Sequence, residues 1–242
     1  MGAAAGVTAG LLSTASVQAA PGEFSANVSL VSEYYFRGVS QTDDAPATQG
    51  GFDWSASTDK ESGIGVYLGV WGSNVDFNEA GGTDGATVEV DWYGGLTSSI
   101  GGTGIGLDVG VIYYSYPGAA SNLDYDFWEG QIALSYDFGL AAATASLNYS
   151  PDNFGGSDEA FYPKLGIDVP VGKDLTLSAH VAKQYIEDNG TFGLPDYVDY
   201  GIGATVNMAG FDFNLTWSDT DMTESECGDA CGMVLLSVSR SF

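Results

Sequence analysis

The stretch Met233 to Phe242 reads MVLLSVSRSF, and its two faces differ. Every second residue back from the end gives Phe242, Arg240, Val238, Leu236 and Val234, against Met233, Leu235, Ser237, Ser239 and Ser241. One face is mostly apolar, the other turns polar, and an aromatic closes the run. A strand crossing a bilayer reads this way, apolar toward lipid and smaller and more polar inside, with an aromatic at the interface. Such a strand cannot stand alone, because every backbone N–H and C=O in hydrocarbon needs a partner on a neighbouring strand. The stretch therefore demands a closed set of matching strands from the rest of the chain.

From Gly22 onward the chain breaks into alternating segments of roughly 9–11 residues, the length of a tilted membrane strand. The first sets Phe24, Ala26, Val28 and Leu30 against Asn27, Ser29, Glu33, Tyr35 and Arg37. Later ones repeat the period of two: Val88, Val90, Trp92 and Leu96 oppose Glu89, Asp91, Tyr93 and Gly95, and Phe211, Phe213, Leu215 and Trp217 oppose Asp212, Asn214 and Thr216. Twelve such segments are counted. Their connections alternate in length. Thr58–Glu61, Ser98–Gly102, Asp137–Gly139, Pro170–Lys173 and Ala209-Gly210 are short; Gly38–Ala47, Gly72–Gly85, Pro117–Asp124, Ser150–Glu159, Glu187–Asp196 and Ser218–Gly232 are longer and acidic. Bacterial barrels join short periplasmic turns to longer outer loops and use an even strand number. Aromatics also sort by depth, with Tyr113, Trp128, Tyr149, Phe161, Tyr185 and Trp217 at one end and Phe24, Tyr136, Phe211 and Phe242 at the other. A soluble β-sandwich also alternates but needs neither the depth sorting nor the long–short rhythm. The expected fold is all-β: a transmembrane, antiparallel, up-and-down barrel of twelve strands spanning residues 20–242.

Composition agrees. The 242 residues include 35 glycines, and 6 basic against 32 acidic side chains leave a net charge of −26. So acidic a chain lacks the positive footprint that nucleic acid requires. Residues 1–19 resemble an export signal, with small residues at Val17-Gln18-Ala19 placing the cut after Ala19, although no Lys or Arg precedes Arg37. The expected location is the bacterial outer membrane, in contact with its lipid. Homo-oligomers are allowed, and the sequence does not specify them.

By parity the lumen wall carries Glu33, Asp53, Glu89, Asp91, Asp108, Glu129, Asp168, Asp199 and Asp212, against the bases Arg37 and Lys164. Tyr35, Gln49, Tyr93, Gln131 and His180 share that face. A carboxylate ring in a narrow pore favours cations; any single member can instead pair with one of the two bases. Arg37 is placed to meet Glu33, Gln49 or Asp53, as either an electrostatic constriction or a structural ion pair. His180 is the only histidine, and no GxSxG elbow accompanies it, so a wall residue is expected and no enzyme. Cys227 and Cys231, in CGDAC, have the spacing of a local disulfide in an exported protein. Acidic pairs such as Asp43-Asp44 match no calcium-loop pattern and read as solvated loops. No metal or other cofactor is expected.

A family resemblance lies in Asn27–Ser55 (NVSLVSEYYFRGVSQTDDAPATQGGFDWS), Gly65–Phe77 (GVYLGVWGSNVDF) and Glu89–Gly95 (EVDWYGG). This ordered run resembles the TorF-type porins, a family of conserved hypothetical proteobacterial proteins; the middle of the chain fits only as barrel strands. The resemblance implies a Gram-negative outer-membrane porin and carries over no substrate or catalytic residue. The expected function is passive diffusion of small hydrophilic solutes with a preference for cations. The competing expectation is a non-conducting structural or adhesive barrel acting through its acidic loops.

Overall fold

The computed structural model describes residues 22–57, 63–77, 85–227 and 231–242. The expected export segment, the turn Thr58–Glu61 and parts of two long loops lie outside these residues. Twelve strands close into one antiparallel barrel. In chain order they are β1 (Glu23–Val31), β4 (Ala47–Ser57), β5 (Gly65–Asn74), β6 (Val88–Ile100), β7 (Ile105–Ser115), β8 (Phe127–Asp137), β9 (Ala142–Ser150), β10 (Ala160–Val171), β11 (Leu175–Ile186), β12 (Tyr197–Met208), β13 (Phe211–Thr220) and β14 (Met233–Ser241). The missing numbers, β2 (Tyr35–Phe36) and β3 (Val39–Ser40), form a separate two-stranded hairpin.

Each barrel strand pairs with its neighbour in the chain, and β1 closes the ring against β14 from Asn27↔Ser241 to Val31↔Ser237. Phe242 completes the seam, exchanging backbone hydrogen bonds with Ala26 at 2.9 and 3.2 Å. Closure leaves no edge strand, the condition for backbone groups to survive in hydrocarbon. The outward face is apolar and open: Phe24 is 82% exposed, Phe52 68% and Leu30 61%. In water that surface would be costly; against lipid tails it is at home. Cross-strand aromatic pairs mark the long-loop end, with Tyr113 and Trp128 rings 4.5 Å apart and Tyr149 and Phe161 4.8 Å apart. At the other end the outward Arg240 lies over Phe211 and Phe242, 5.0 and 5.1 Å from their centroids, which lets its charged head reach the interface. The tight turn at Ala209-Gly210 has positive φ at both residues, the hairpin geometry that matches strand twist.

The first expected strand is shorter than its alternation suggested. β1 stops at Val31, and Ser32 ties off the strand: its N–H donates to the Leu236 carbonyl at 2.8 Å and its hydroxyl accepts from the Leu236 N–H at 2.9 Å. The chain then leaves the wall and folds into the lumen. Tyr35 pairs with Ser40 and Phe36 with Val39, so Arg37-Gly38 is the two-residue turn of a hairpin, with φ of 48° and 80°. Two successive positive φ values define a turn that Gly38 takes without strain and Arg37 takes at a cost. Glu33, Tyr35 and Arg37 are thus not on a barrel strand; they belong to this in-folded segment.

Candidate site in the lumen

Arg37, at the hairpin tip, crosses the barrel. Its Nη2 donates to both carboxylate oxygens of Glu129 on β8, at 2.6 and 2.7 Å, and its Nη1 to Gln184 Oε1 on β11 at 2.8 Å. The guanidinium is held between the rings of Phe36 and Tyr162, 4.5 and 4.1 Å from the centroids. Its side chain is 6% exposed and that of Glu129 is 1% exposed. These partners replace the expected Glu33, Gln49 and Asp53. Those three lie at the near wall or in the segment itself, whereas the turn lifts Arg37 off that wall and aims it at the far one. The interaction is a buried, charge-assisted pair, the kind whose disruption leaves a carboxylate stranded.

The rest of the segment meets the wall around it. Tyr34 packs edge-on against Trp71 of β5 and donates its hydroxyl to Glu89 Oε1 of β6 at 3.2 Å. Phe36 lies against Tyr114 of β7. Gly38 sits so close to Thr220 and Asp199 that an added Cβ would fall 2.6 and 3.0 Å from their side chains. Thr42 accepts from the Tyr34 N–H at 3.1 Å and donates to the Ala45 carbonyl at 2.7 Å, holding the returning chain. Beside it, Phe77, Tyr116, Tyr125 and Phe154 pack ring on ring, Tyr125 and Phe154 stacked at 4.3 Å. The long-loop half of the lumen is therefore filled.

The short-turn half differs. Inward Asp53, Tyr67, Tyr93, Asp108, Gln131, Ser178, His180 and Asn214 are all only half-buried. Glycines keep this part wide: Cβ atoms added at Gly95 and Gly110 would fall 2.5 and 2.6 Å from the Tyr67 hydroxyl, and one at Gly69 would fall 2.3 Å from the Tyr93 ring. The two rings can lie against the wall because the facing residues have no side chain.

The inward carboxylates do not form a bare ring. Five are capped by inward tyrosines: Tyr34 on Glu89, Tyr93 on Asp53, Tyr67 on Asp108 at 2.9 Å, Tyr114 on Glu129 at 3.1 Å and Tyr162 on Asp199 at 2.6 Å. Asn148 adds a donor to Glu129 at 3.3 Å and to Gln131 at 3.4 Å. His180 Nε2 lies 2.7 Å from Asp199 Oδ1, so the lone histidine is a wall residue tied to an acid. Lys164 stands within electrostatic reach of Asp199 and Asp168. Asp168 and Asp212 sit toward the short-turn rim, Asp212 accepting from Asn207 at 2.8 Å. Acids stand all round the ring, Asp53, Glu89, Asp91 and Asp108 on β4 to β7 and Glu129, Asp168, Asp199 and Asp212 on β8 to β13, and the inward base Lys164 stands on β10 in the second half. Asp91 Oδ1 and Glu33 Oε1 are buried without a hydrogen-bond partner.

Parity alone placed the acids on the inward face. It did not reveal Tyr34, Tyr114 and Tyr162 as their donors, although each shares the acids' face once its strand or turn is known. Cys227 and Cys231, expected to bridge, are in their reduced form in this structure. The pair stand as thiols in the last long loop, with a side-chain hydrogen bond between them.

Solved structures share this architecture. An outer membrane channel from Pseudomonas putida F1 aligns with a TM-score of 0.57 and 13% identity, over 91% of this chain and 96% of that one. The NanC porin aligns at 0.53 and 8% identity, over 90% and 98% of the two chains. The KdgM porin, solved in complex with disordered oligogalacturonate, aligns at 0.52 and 8%, over 90% and 98%. Such identities speak for the fold alone. No curated protein matches the sequence. The model of a bacterial protein family of unknown function, Gcw_chp, matches residues 15–240. The chain belongs to the Gcw_chp family, and it is built as a twelve-stranded barrel of the bacterial outer membrane.

Proposed function

We propose that this barrel is a porin-like channel through which small hydrophilic solutes diffuse, cations in preference to anions. The observation that carries the reading is the acidic inner wall from β4 to β7, continuous with a half-open chamber at the short-turn end. Charged walls in narrow, low-dielectric passages select by sign. The channel and porin names of the structural neighbours, and the resemblance to TorF-type porins, support the same reading. Residues 1–19 would direct export, and a Cys227–Cys231 bridge would close the last loop outside the membrane. In this account the segment from Ser32 to Pro46 is the constriction, with Arg37 as its pin.

That packing favours a second reading. Tyr34, Phe36 and Arg37 span the lumen, and a barrel closed there would act through its loops without conducting. Flux into vesicles separates the two. Purified barrel in lipid vesicles should admit small amine salts faster than small acid salts; admission no faster than through protein-free vesicles would favour the closed barrel.

A further inference from the structure

The chamber wall across β4 to β7 joins two kinds of group that rarely meet without a reason. Tyr67 and Tyr93 stand 6.5 Å apart between ring centroids, tilted by 50°. Each donates its hydroxyl to a carboxylate two strands away, Tyr67 of β5 to Asp108 of β7 and Tyr93 of β6 to Asp53 of β4. The register makes the patch continuous: Asp53 stands opposite Gly69, Gly69 opposite Tyr93, Tyr67 opposite Gly95 and Gly95 opposite Gly110. Glycines lie beside the hydroxyl end of Tyr67 and the ring edge of Tyr93, and both inward side chains stay partly exposed.

An aromatic face attracts a cation through its quadrupole, and a phenol that donates to a carboxylate carries more electron density in its ring. The two aspartates add net charge beside the rings, and a phenol hydroxyl uses only one lone pair of each carboxylate. A hydrated metal ion gains little from ring faces, and the described residues contain no cluster of acids, histidines and cysteines set to hold one. A methylated or alkyl ammonium suits both features, because its bulk spreads over the rings while its charge faces the acids.

We infer that Tyr67, Tyr93, Asp53 and Asp108 form a binding subsite for organic ammonium solutes. The site deepens the cation preference proposed above. Binding from the open, short-turn end does not require conduction, so the two ideas can fail separately.

The test is titration of the refolded full-length barrel in detergent with choline and with 3,3-dimethylbutan-1-ol, its neutral analogue of the same shape. Choline should bind about tenfold more tightly than the alcohol. The Asp53→Asn/Asp108→Asn variant should lose most of that difference while its circular dichroism stays that of a barrel. If the paired variant does not fold, Asp108→Asn alone and Tyr67→Phe should each lower choline binding and leave the alcohol unchanged. Equal binding of choline and the alcohol, or no binding of choline by a folded barrel, overturns the subsite. Flux through vesicles in the absence of choline binding would remove the subsite and leave the channel standing.

Discussion

Arg37 combines a left-handed backbone, a buried ion pair and two ring contacts in one residue. Breaking a buried pair from one side typically costs about 3–5 kcal/mol. Arg37→Ala should therefore lower the urea midpoint of the folded barrel markedly. Adding Glu129→Gln should recover part of the loss, since the stranded charge is then gone. Additive losses in the double variant would deny the coupling. The alternating sequence pointed to Arg37 as an unusual inward base but named the wrong partners. Period-two parity assigns a side of one strand, and it carries no information about a residue that leaves the wall and reaches across the ring. The cysteines offer a second residue-level check. Burial, followed by the hydrogen bond its thiol gives to Cys227, pushes the Cys231 thiol up to about 12. The thiolate is the species that reacts, so alkylation of Cys231 should be slow at neutral pH and accelerate as pH climbs toward that value. Once oxidised, the pair should show the mass of a disulfide; rapid labelling at neutral pH would contradict the raised thiol.

The in-folded hairpin and the glycine-floored wall are the two elements that shape the lumen. The hairpin was misread because Ser32 to Arg37 keeps alternating after the strand has ended, Glu33, Tyr35 and Arg37 against Tyr34 and Phe36. The break is signalled only by Gly38 and by the Ser32 contacts to Leu236, which belong to the tertiary structure. Strand assignment elsewhere followed from outward apolar residues, which lipid demands at nearly every second position. The glycines were visible on the inward face, but their function became clear only with the rings that lie on them. Gly69→Ala tests this at the level of the element. Its Cβ would fall 2.3 Å from the Tyr93 ring, so the ring must swing into the chamber and give up Asp53. Overpacking of this kind costs about 1–3 kcal/mol, read as a lowered unfolding midpoint, and the narrowed chamber should lower solute flux as well. Gly139, which has open space around it but a positive φ of 83°, should tolerate Asn with little change in flux.

For the whole molecule, closure decides both fold and location. Twelve antiparallel strands with no free edge, an exposed apolar exterior and aromatic girdles leave a bilayer as the environment that satisfies every surface. That much could be read in the chain before its structure, because lipid imposes a rule on each strand separately. The lumen follows no such rule: its contents depend on which residues from distant strands meet. A ring of carboxylates was expected, and a set of tyrosine–acid pairs around and beneath a folded plug is what the chain assembles. Shortening the segment between Ser32 and Pro46 to a Gly-Ser link should open the filled half and raise conductance several-fold without abolishing heat-modifiability. The most direct measurement is single-channel recording of the wild-type barrel and Arg37→Ala in one bilayer system, under a potassium chloride gradient. The account predicts discrete steps with a cation-selective reversal potential, larger in Arg37→Ala than in wild type. Silence from both folded proteins, or steps with an anion-selective potential, would contradict it.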